Sequence, residues 1–458
     1  MSETQPTITI IGCGYVGLTL AAVLAGAGFT VYAVEVNPKR LETIRQGRSF
    51  FYETGADPLI AAGVRSGRLI PTDSYEASVP NSAMIFSCVG TPDNPDGSSN
   101  LTYVFDAAGQ ALGLMRDGTV FVQKSTVPVG TGAKIAAMFD ASGKKIRYVS
   151  CPEFSQEGTA IRDTLWYDRV VAGTSDPSAA KAVMAVHAAI EQNRGNIAKT
   201  AGLTPPKSLP AAEHLTVSLG SAELIKVSAN AFLALKISFA NSIAKLADQT
   251  GADILEVMEG TGSDRRIGRA FLGAGRGYGG GCFPKDVSGL IRTAEDHGAD
   301  MEIMRAATEV NDSMPHYVIR KARAKLGGAG AEGDLRGKTV AVLGLSFKAG
   351  TSDLRRSPAV VMANSLAEQG ASVRAYDPEA MDEAKSYLND HITLAKNIDD
   401  AIAQTDCILI ATDWPVFLVM DLPAVAKQSG ATVLVDCMNR FNKAAVEAAG
   451  LTYVGVGR

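Results

Sequence analysis

Residues 7–17 read Thr7-Ile8-Thr9-Ile10-Ile11-Gly12-Cys13-Gly14-Tyr15-Val16-Gly17. The β-branched run over 7–11 predicts a strand. An alanine- and leucine-rich stretch to about Ala27 predicts a helix after the glycines, and Thr30–Val34 a second strand that ends on Glu35. A lone G-x-G-x-x-G is a weak signal and also fits a purely structural turn. Here a strand precedes it, a helix follows it, and Glu35 stands 18 residues after Gly17. That combination is the dinucleotide fingerprint in its full context. Gly12 permits the tight turn, Gly14 lets backbone approach a pyrophosphate, and Gly17 lets the helix pack on the strand. Tyr15 and Val16 open the helix, whose first N–H groups face a phosphate. Glu35 is expected to accept hydrogen bonds from ribose hydroxyls. A carboxylate there repels a 2′-phosphate, which favours NAD over NADP. Arg40 is placed to flank the adenine end.

Outward from this turn, short apolar runs at 83–89, 119–123 and 146–150 alternate with helical patterns, the mark of a parallel α/β sheet. Residues 221–251 change character: no Pro or Gly until Gly251, and apolar residues at helical spacing. Leu224, Val227, Ala231, Leu235, Ser238 and Ile243 are expected on one face of a helix of about 30 residues, long for a globular protein. A second helix is expected from Met301 to Leu326. Residues 327–330 and 332–334 read as a linker. A new α/β pattern then begins at Thr339–Gly344, with strands at 372–376, 407–411 and 432–435. It lacks a G-x-G-x-x-G, so it is not expected to hold a dinucleotide in the same way. The expected architecture is α/β: two Rossmann-like doubly wound parallel-sheet domains joined by a long central helix and a helical dimerisation region. The expected boundaries are 1–215, 216–328 and 329–458. Segment 193–220, with Pro205, Pro206 and Pro210, reads as either a surface excursion or a lid.

The bulk properties exclude several classes. The 458 residues are 46% hydrophobic and 20% charged, with a formal net charge of −4. That leaves no global basic field for nucleic acid or an anionic membrane. Six cysteines lie scattered without a C-x-x-C pair, which argues against a disulfide framework or a zinc site and fits a reducing, cytoplasmic setting. The N-terminus lacks the basic region of a signal peptide. No uninterrupted apolar run approaches 18 residues, so no membrane span is expected.

A second stretch carries chemistry: Gly277-Tyr278-Gly279-Gly280-Gly281-Cys282-Phe283-Pro284-Lys285-Asp286. A cysteine follows a run of glycines that permits close approach to a ligand, with a cation and a carboxylate three and four residues on. Those are the surroundings of a nucleophilic thiol, although an isolated Cys is more often inert packing. Thr126, in Lys124–Gly130, follows a strand at the position where a sheet delivers side chains to a ligand. Glu153 and Glu157 lie four apart, on one face if helical. Lys226 and Asn230 are also four apart, near the start of the long helix.

Together these motifs resemble the UDP-glucose/GDP-mannose dehydrogenase family over nearly the whole chain. The carriers are GCGYVG (12–17), VGTPDNPDG (89–97), QKSTVPVG (123–130), CPEFSQEG (151–158), ELIKVSANAFLALKISFAN (223–241), DRRIGRAFLGAGRGYGGGCFPKD (264–286), GLSFKAGTSDLRRSP (344–358) and AYDP (375–378). The resemblance implies oxidation of the primary alcohol of a nucleotide hexose to a carboxylate with two NAD. UDP-glucose is the leading substrate; UDP-GlcNAc, UDP-galactose and GDP-mannose are alternatives. It further implies a water held by Thr126 and Asp286, Lys226 stabilising the alkoxide, Cys282 trapping the aldehyde, Asn230 orienting substrate or oxyanion, and Glu153 activating the hydrolytic water. Thr91, Glu157, Lys285 and Arg355 fall on the cofactor side. Phe271, Leu272, Gly275 and Gly279 lie in the sugar-nucleotide loop, Lys348 meets the diphosphate, and Arg266 reaches a partner subunit's substrate in a dimer or larger homo-oligomer. Two rivals remain: a two-electron dehydrogenase without a nucleophilic Cys, and a non-catalytic nucleotide-binding protein. The sequence departs from the family at Ser155-Gln156, usually Leu-Arg, at Arg356, usually Glu, and at Asp436-Cys437-Met438-Asn439, where Arg440 is displaced by two.

Overall fold

The computed structural model describes residues 5–207, 211–326 and 335–458. The expected linker at 327–330 and 332–334, and Pro210, lie outside the described residues. The chain forms two compact units: Met1–Ala229 with Ser288–His297, and Asn230–Val287 with Gly298–Arg458.

The first unit is built on eight strands: β1 (Ile8–Ile11), β2 (Val31–Val34), β3 (Leu69–Thr72), β4 (Met84–Ser87), β5 (Val120–Gln123), β6 (Arg147–Ser150), β7 (Arg169–Gly173) and β8 (Glu213–Val217). Their order is β3-β2-β1-β4-β5-β6-β7-β8. The first six run parallel in the doubly wound order expected of a dinucleotide fold. β1, β4 and β5 are buried along their whole length, as strands covered by helices on both faces must be. β7 pairs antiparallel with β6 and parallel with β8, so the far edge reverses direction.

Segment 193–220 has regular structure at its two ends, with the partly to fully exposed residues 202–207 between them. Its first residues complete the helix Pro177–Ala201, and Glu213–Val217 form edge strand β8. That strand is almost wholly exposed. With one neighbour and no buried face, it leaves no apolar alternation to read.

The long helix runs over 32 residues, Leu219–Thr250. Glu223 anchors it by accepting the backbone N–H of Gly130 at 2.7 Å and of Gly132 at 2.6 Å. Val227, Ala231 and Ser238 are buried, as expected of one face. Leu224 is not: it is 44% exposed, in line with Phe232 (61%), Phe239 (48%) and Leu246 (57%). Their spacing of eight, seven and seven residues puts all four on one stripe. By length and composition the helix also qualifies as a membrane span, with a mean hydropathy of 1.2 over 18 residues. The expectation of no span counted only uninterrupted runs and missed this average. Within the first unit, however, the helix commits Glu223 and Lys226 to protein partners.

The second unit repeats the topology with six strands: β9 (Thr339–Leu343), β10 (Ser372–Tyr376), β11 (Thr393–Leu394), β12 (Cys407–Ile410), β13 (Val433–Asp436) and β14 (Thr452–Val454). All are parallel, in the order β11-β10-β9-β12-β13-β14. The turn after β9 differs from the one after β1. Asp377, just beyond β10, sends its carboxylate into it and accepts the N–H of Leu345 at 2.7 Å and of Ser346 at 2.9 Å. A side chain of this protein thus takes the backbone donors that a phosphate takes in a dinucleotide turn.

Candidate active site

In the first unit, the register Ile11↔Val34 and Ile11↔Ser87 sets Gly12, Glu35 and Cys88 side by side at the carboxyl ends of their strands. A Cβ at Gly17 would lie 1.9 Å from the carbonyl oxygen of Gly12, so packing alone demands that glycine. A Cβ at Gly14 would meet nothing within 4 Å. Protein packing therefore does not require a glycine there, whereas backbone approach by a ligand does. The helix from Tyr15 starts without a side-chain cap and without an acidic residue in its first turn, which leaves its N-terminus receptive to an anion. Glu35 is buried, and one oxygen accepts the N–H of Asn37 at 2.8 Å. These features fit NAD. The exposed Arg40 stacks on Phe50 at 4.7 Å, and Phe51 lies 4.2 Å from the ring of Tyr15. Thr91 is buried, and Thr126 sits half-buried in the loop after β5.

Glu153 and Glu157 do not share a helix face. Residues 151–156 have no regular structure, because Pro152 and the bonds described next favour a loop. Glu153 instead meets Lys226 of the long helix at 3.4 Å, with both side chains largely buried. Its other oxygen accepts from both the N–H and the Oγ of Ser155, each at 2.6 Å. Burial alone raises the Glu153 carboxyl, but Lys226, Ser155 and Lys124 outweigh it and hold the group below the usual carboxylate range. It is therefore ionised at neutral pH. Ser155, read from sequence only as a departure, turns out to be a direct partner of this carboxylate. The E-x-S spacing was its one sequence signal. Lys124, quoted in a motif but given no role, is buried 3.7 Å from Cys151 Sγ.

In the second unit, Cys282 is solvent-exposed and immediately precedes the helix Phe283–Asp296, and its carbonyl accepts the N–H of Asp286 at 2.8 Å. A helix N-terminus favours negative charge on sulfur. Asp286, 3% exposed, accepts from Asn230 Nδ2 at 2.5 Å and pairs with Lys285 at 2.6 Å. Lys285, expected on the cofactor side, is thus tied to that carboxylate.

The glycine run before Cys282 is explained differently from the sequence expectation. A Cβ at Gly279 would lie 2.2 Å from the carbonyl oxygen of Arg356, and one at Gly281 would lie 2.6 Å from the guanidinium carbon of Arg355. The close approach is to the protein's own 355–356 turn. Gly275 likewise packs on the carbonyl of Cys437. Arg355 stands beside the residue next to the thiol, while bonding Asp353. Leu272 is buried, and Phe271 takes a positive φ of 63°. Lys348 lies over the ring of Phe347 at 5.8 Å. Arg266 is 84% exposed and pairs with Asp264. Arg440 bonds Asp413 at 3.0 Å, and Asn439 instead occupies the buried position, accepting from Val456 N. Among the described residues, no group of three or more His, Cys, Asp or Glu side chains is placed to hold a metal.

Three domain descriptions of the UDP-glucose/GDP-mannose dehydrogenase family match in sequence: the NAD binding domain over 6–191, the central domain over 220–313 and the UDP binding domain over 341–443. The chain is 37% identical to UDP-glucose 6-dehydrogenase of Rhizobium meliloti (strain 1021), covering 98% of this chain and 99% of the relative. UDP-glucose 6-dehydrogenase YwqF of Bacillus subtilis (strain 168) is also 37% identical, over 98% and 97%. Among solved structures, a UDP-glucose dehydrogenase from Pyrobaculum islandicum superposes with a TM-score of 0.86 at 36% identity, covering 100% of this chain and 99% of that one.

Proposed function

The chain belongs to the UDP-glucose/GDP-mannose dehydrogenase family, and from that premise we propose that it oxidises UDP-glucose to UDP-glucuronate through a covalent intermediate on Cys282. NAD is its cofactor, and in this reading the turn 12–17 holds it. Bound NAD accepts hydride, and two molecules are needed for the four electrons. The observation that carries the reading is the presence of two buried polar clusters, Glu153–Lys226 and Asn230–Asp286–Lys285, together with an exposed thiol at a helix N-terminus.

In this reading, a water held by Thr126 and Asp286 takes the hydroxyl proton, and Lys226 stabilises the alkoxide. Loss of the first hydride from that alkoxide gives the aldehyde. The Cys282 thiolate adds to its carbon and the oxygen takes up a proton to form a thiohemiacetal; loss of a second hydride, with the hydroxyl proton passing to the same water, leaves a thioester. Water then adds at the carbonyl carbon, the C–S bond breaks, and the thiolate leaves as the carboxylate forms. Glu153 takes the proton of that water, while Asn230 holds the oxyanion. The lowered pKa of Glu153 keeps it ionised at some expense in basicity. When Lys226 turns toward the oxyanion, Glu153 loses part of that stabilisation and becomes a stronger base. Glu157, Thr91, Arg40 and Arg355 serve the cofactor side, and Phe271, Leu272, Gly275, Gly279 and Lys348 the sugar nucleotide. Purified protein given UDP-glucose and NAD should release two NADH per UDP-glucuronate, with the product identified by mass. One NADH per substrate would sink the four-electron reading.

Glu35 gives a cofactor prediction. Glu35→Ala should weaken NAD binding about tenfold, on the order of one charge-assisted pair of hydrogen bonds, and narrow the preference over NADP. Parallel titrations with both cofactors check this, and an unchanged NAD affinity removes Glu35 from the site.

The exposed stripe Leu224, Phe232, Phe239 and Leu246 supports a homodimer through the long helix. Phe232→Glu combined with Phe239→Glu should yield monomers by light scattering, and Arg266, reaching a partner's substrate, would then contribute nothing. A double variant that remains dimeric moves the interface elsewhere.

A further inference from the structure

Glu53 lies far from the reacting groups in sequence and has no role in the steps above, yet it is a nearly fully buried carboxylate, 7% exposed. Its two oxygens reach across more than a hundred residues of sequence. One accepts the N–H of Gly158 at 2.7 Å, the other that of Ile161 at 3.3 Å. These donors close the loop that begins at Cys151, carries Glu153 and Glu157, and leads into the helix Ala160–Leu165. That helix has Thr159 at its N-cap, but the hydroxyl caps nothing. A local side chain would have satisfied those donors cheaply. Instead a distant carboxylate does so, at a cost: burial outweighs the bonds from Ile161, Gly158 and Ala160 and raises the Glu53 carboxyl to about 7.

The other end of Glu53 explains the distance. Its own carbonyl accepts the N–H of Ala56 at 3.1 Å, fixing the segment 49–56. Phe51, two residues back, packs on Tyr15 of the dinucleotide turn, and Phe50 receives Arg40. Segment 49–56 therefore touches the cofactor turn with its aromatic rings and the Glu153 loop with its carboxylate.

We propose that Glu53 is a positioning residue that links the aromatic wall of the cofactor turn to the loop bearing Glu153, so that NAD binding steadies the hydrolytic carboxylate. The inference rests on the reading of Glu153 as the water-activating base. Glu53→Gln keeps the shape but turns one acceptor into a donor facing a backbone N–H, so one end of the loop is released.

Two measurements test it on the full-length protein. In steady state, Glu53→Gln should lower kcat with UDP-glucose about tenfold while KM for UDP-glucose stays within twofold, and the adduct on Cys282 should accumulate in intact-mass spectra. In hydrogen exchange, NAD alone should slow amide exchange across 152–165 in the wild type and fail to do so in Glu53→Gln. If Glu53→Gln does not fold, Glu53→Asp, which keeps the charge but reaches only one donor, should show the same pattern at smaller amplitude. A variant with wild-type kcat, or one in which NAD still protects 152–165, overturns the proposal. A wild type that binds NAD but does not oxidise UDP-glucose overturns the parent reading instead, and the exchange result then stands alone as the test of the link.

Discussion

Cys282→Ser is expected to cut NADH release from UDP-glucose by at least about 10³-fold, because removing the nucleophile of a covalent mechanism abolishes most of its rate advantage. NAD affinity should stay as it is, since the dinucleotide turn belongs to the first unit and Cys282 to the second. The serine hydroxyl is far less acidic than a thiol, and the helix N-terminus that favours charge on sulfur does too little for an alkoxide. The first oxidation remains chemically possible, so the aldehyde should appear in trace amounts by mass. A variant that still forms carboxylate near the wild-type rate would falsify the covalent role, and one NADH per substrate released at an unchanged rate would return the two-electron rival.

The second large effect belongs to Lys226→Met. It loses the cation proposed for the alkoxide, which costs about 10²–10³ in kcat by analogy with removal of one oxyanion donor. It also leaves Glu153 ionised, buried and without its pair. Breaking one side of a buried ion pair destabilises by about 3–5 kcal/mol, so thermal unfolding should shift downward by several degrees. Adding Glu153→Gln should recover much of the stability and none of the activity. That opposite response is the diagnostic, because contacting pairs couple non-additively. Equal losses of stability in the single and double variants would mean that the pair is not a unit.

Much of this was legible in the chain because local rules and global fold agree there. The turn 12–17, Glu35 and the parallel strands around them each carry a sequence signal that tertiary context leaves standing. The long helix was legible in length to within two residues at its start, yet Leu224 was assigned to the wrong side. A helix buried on one side and apolar on the other has two hydrophobic faces, and periodicity alone cannot rank them. Edge strand β8 was invisible because a strand exposed on both faces needs no apolar stripe, and Leu215 and Val217 alone do not mark one. The glycines before Cys282 were seen, but their partner was misread. What they admit is the protein itself: the Arg356 backbone at Gly279, the Phe347 ring at Gly280 and the Arg355 guanidinium at Gly281. Ser155 shows the complementary limit, since a substitution that looks like decay of a motif supplies two hydrogen bonds to Glu153.

Asp377 has a consequence for timing. Its carboxylate already satisfies the backbone donors of the second sheet's turn, so the repeated topology does not supply a second dinucleotide seat. On the proposed four-electron reaction, the described residues then offer one docking place for a two-electron carrier. The spent carrier has to depart and a fresh one arrive while the sugar is half oxidised. A free aldehyde would escape during that exchange. The proposed sulfur tether would prevent it, and the waiting period between carriers, rather than the bond-making itself, would then be the reason for the tether.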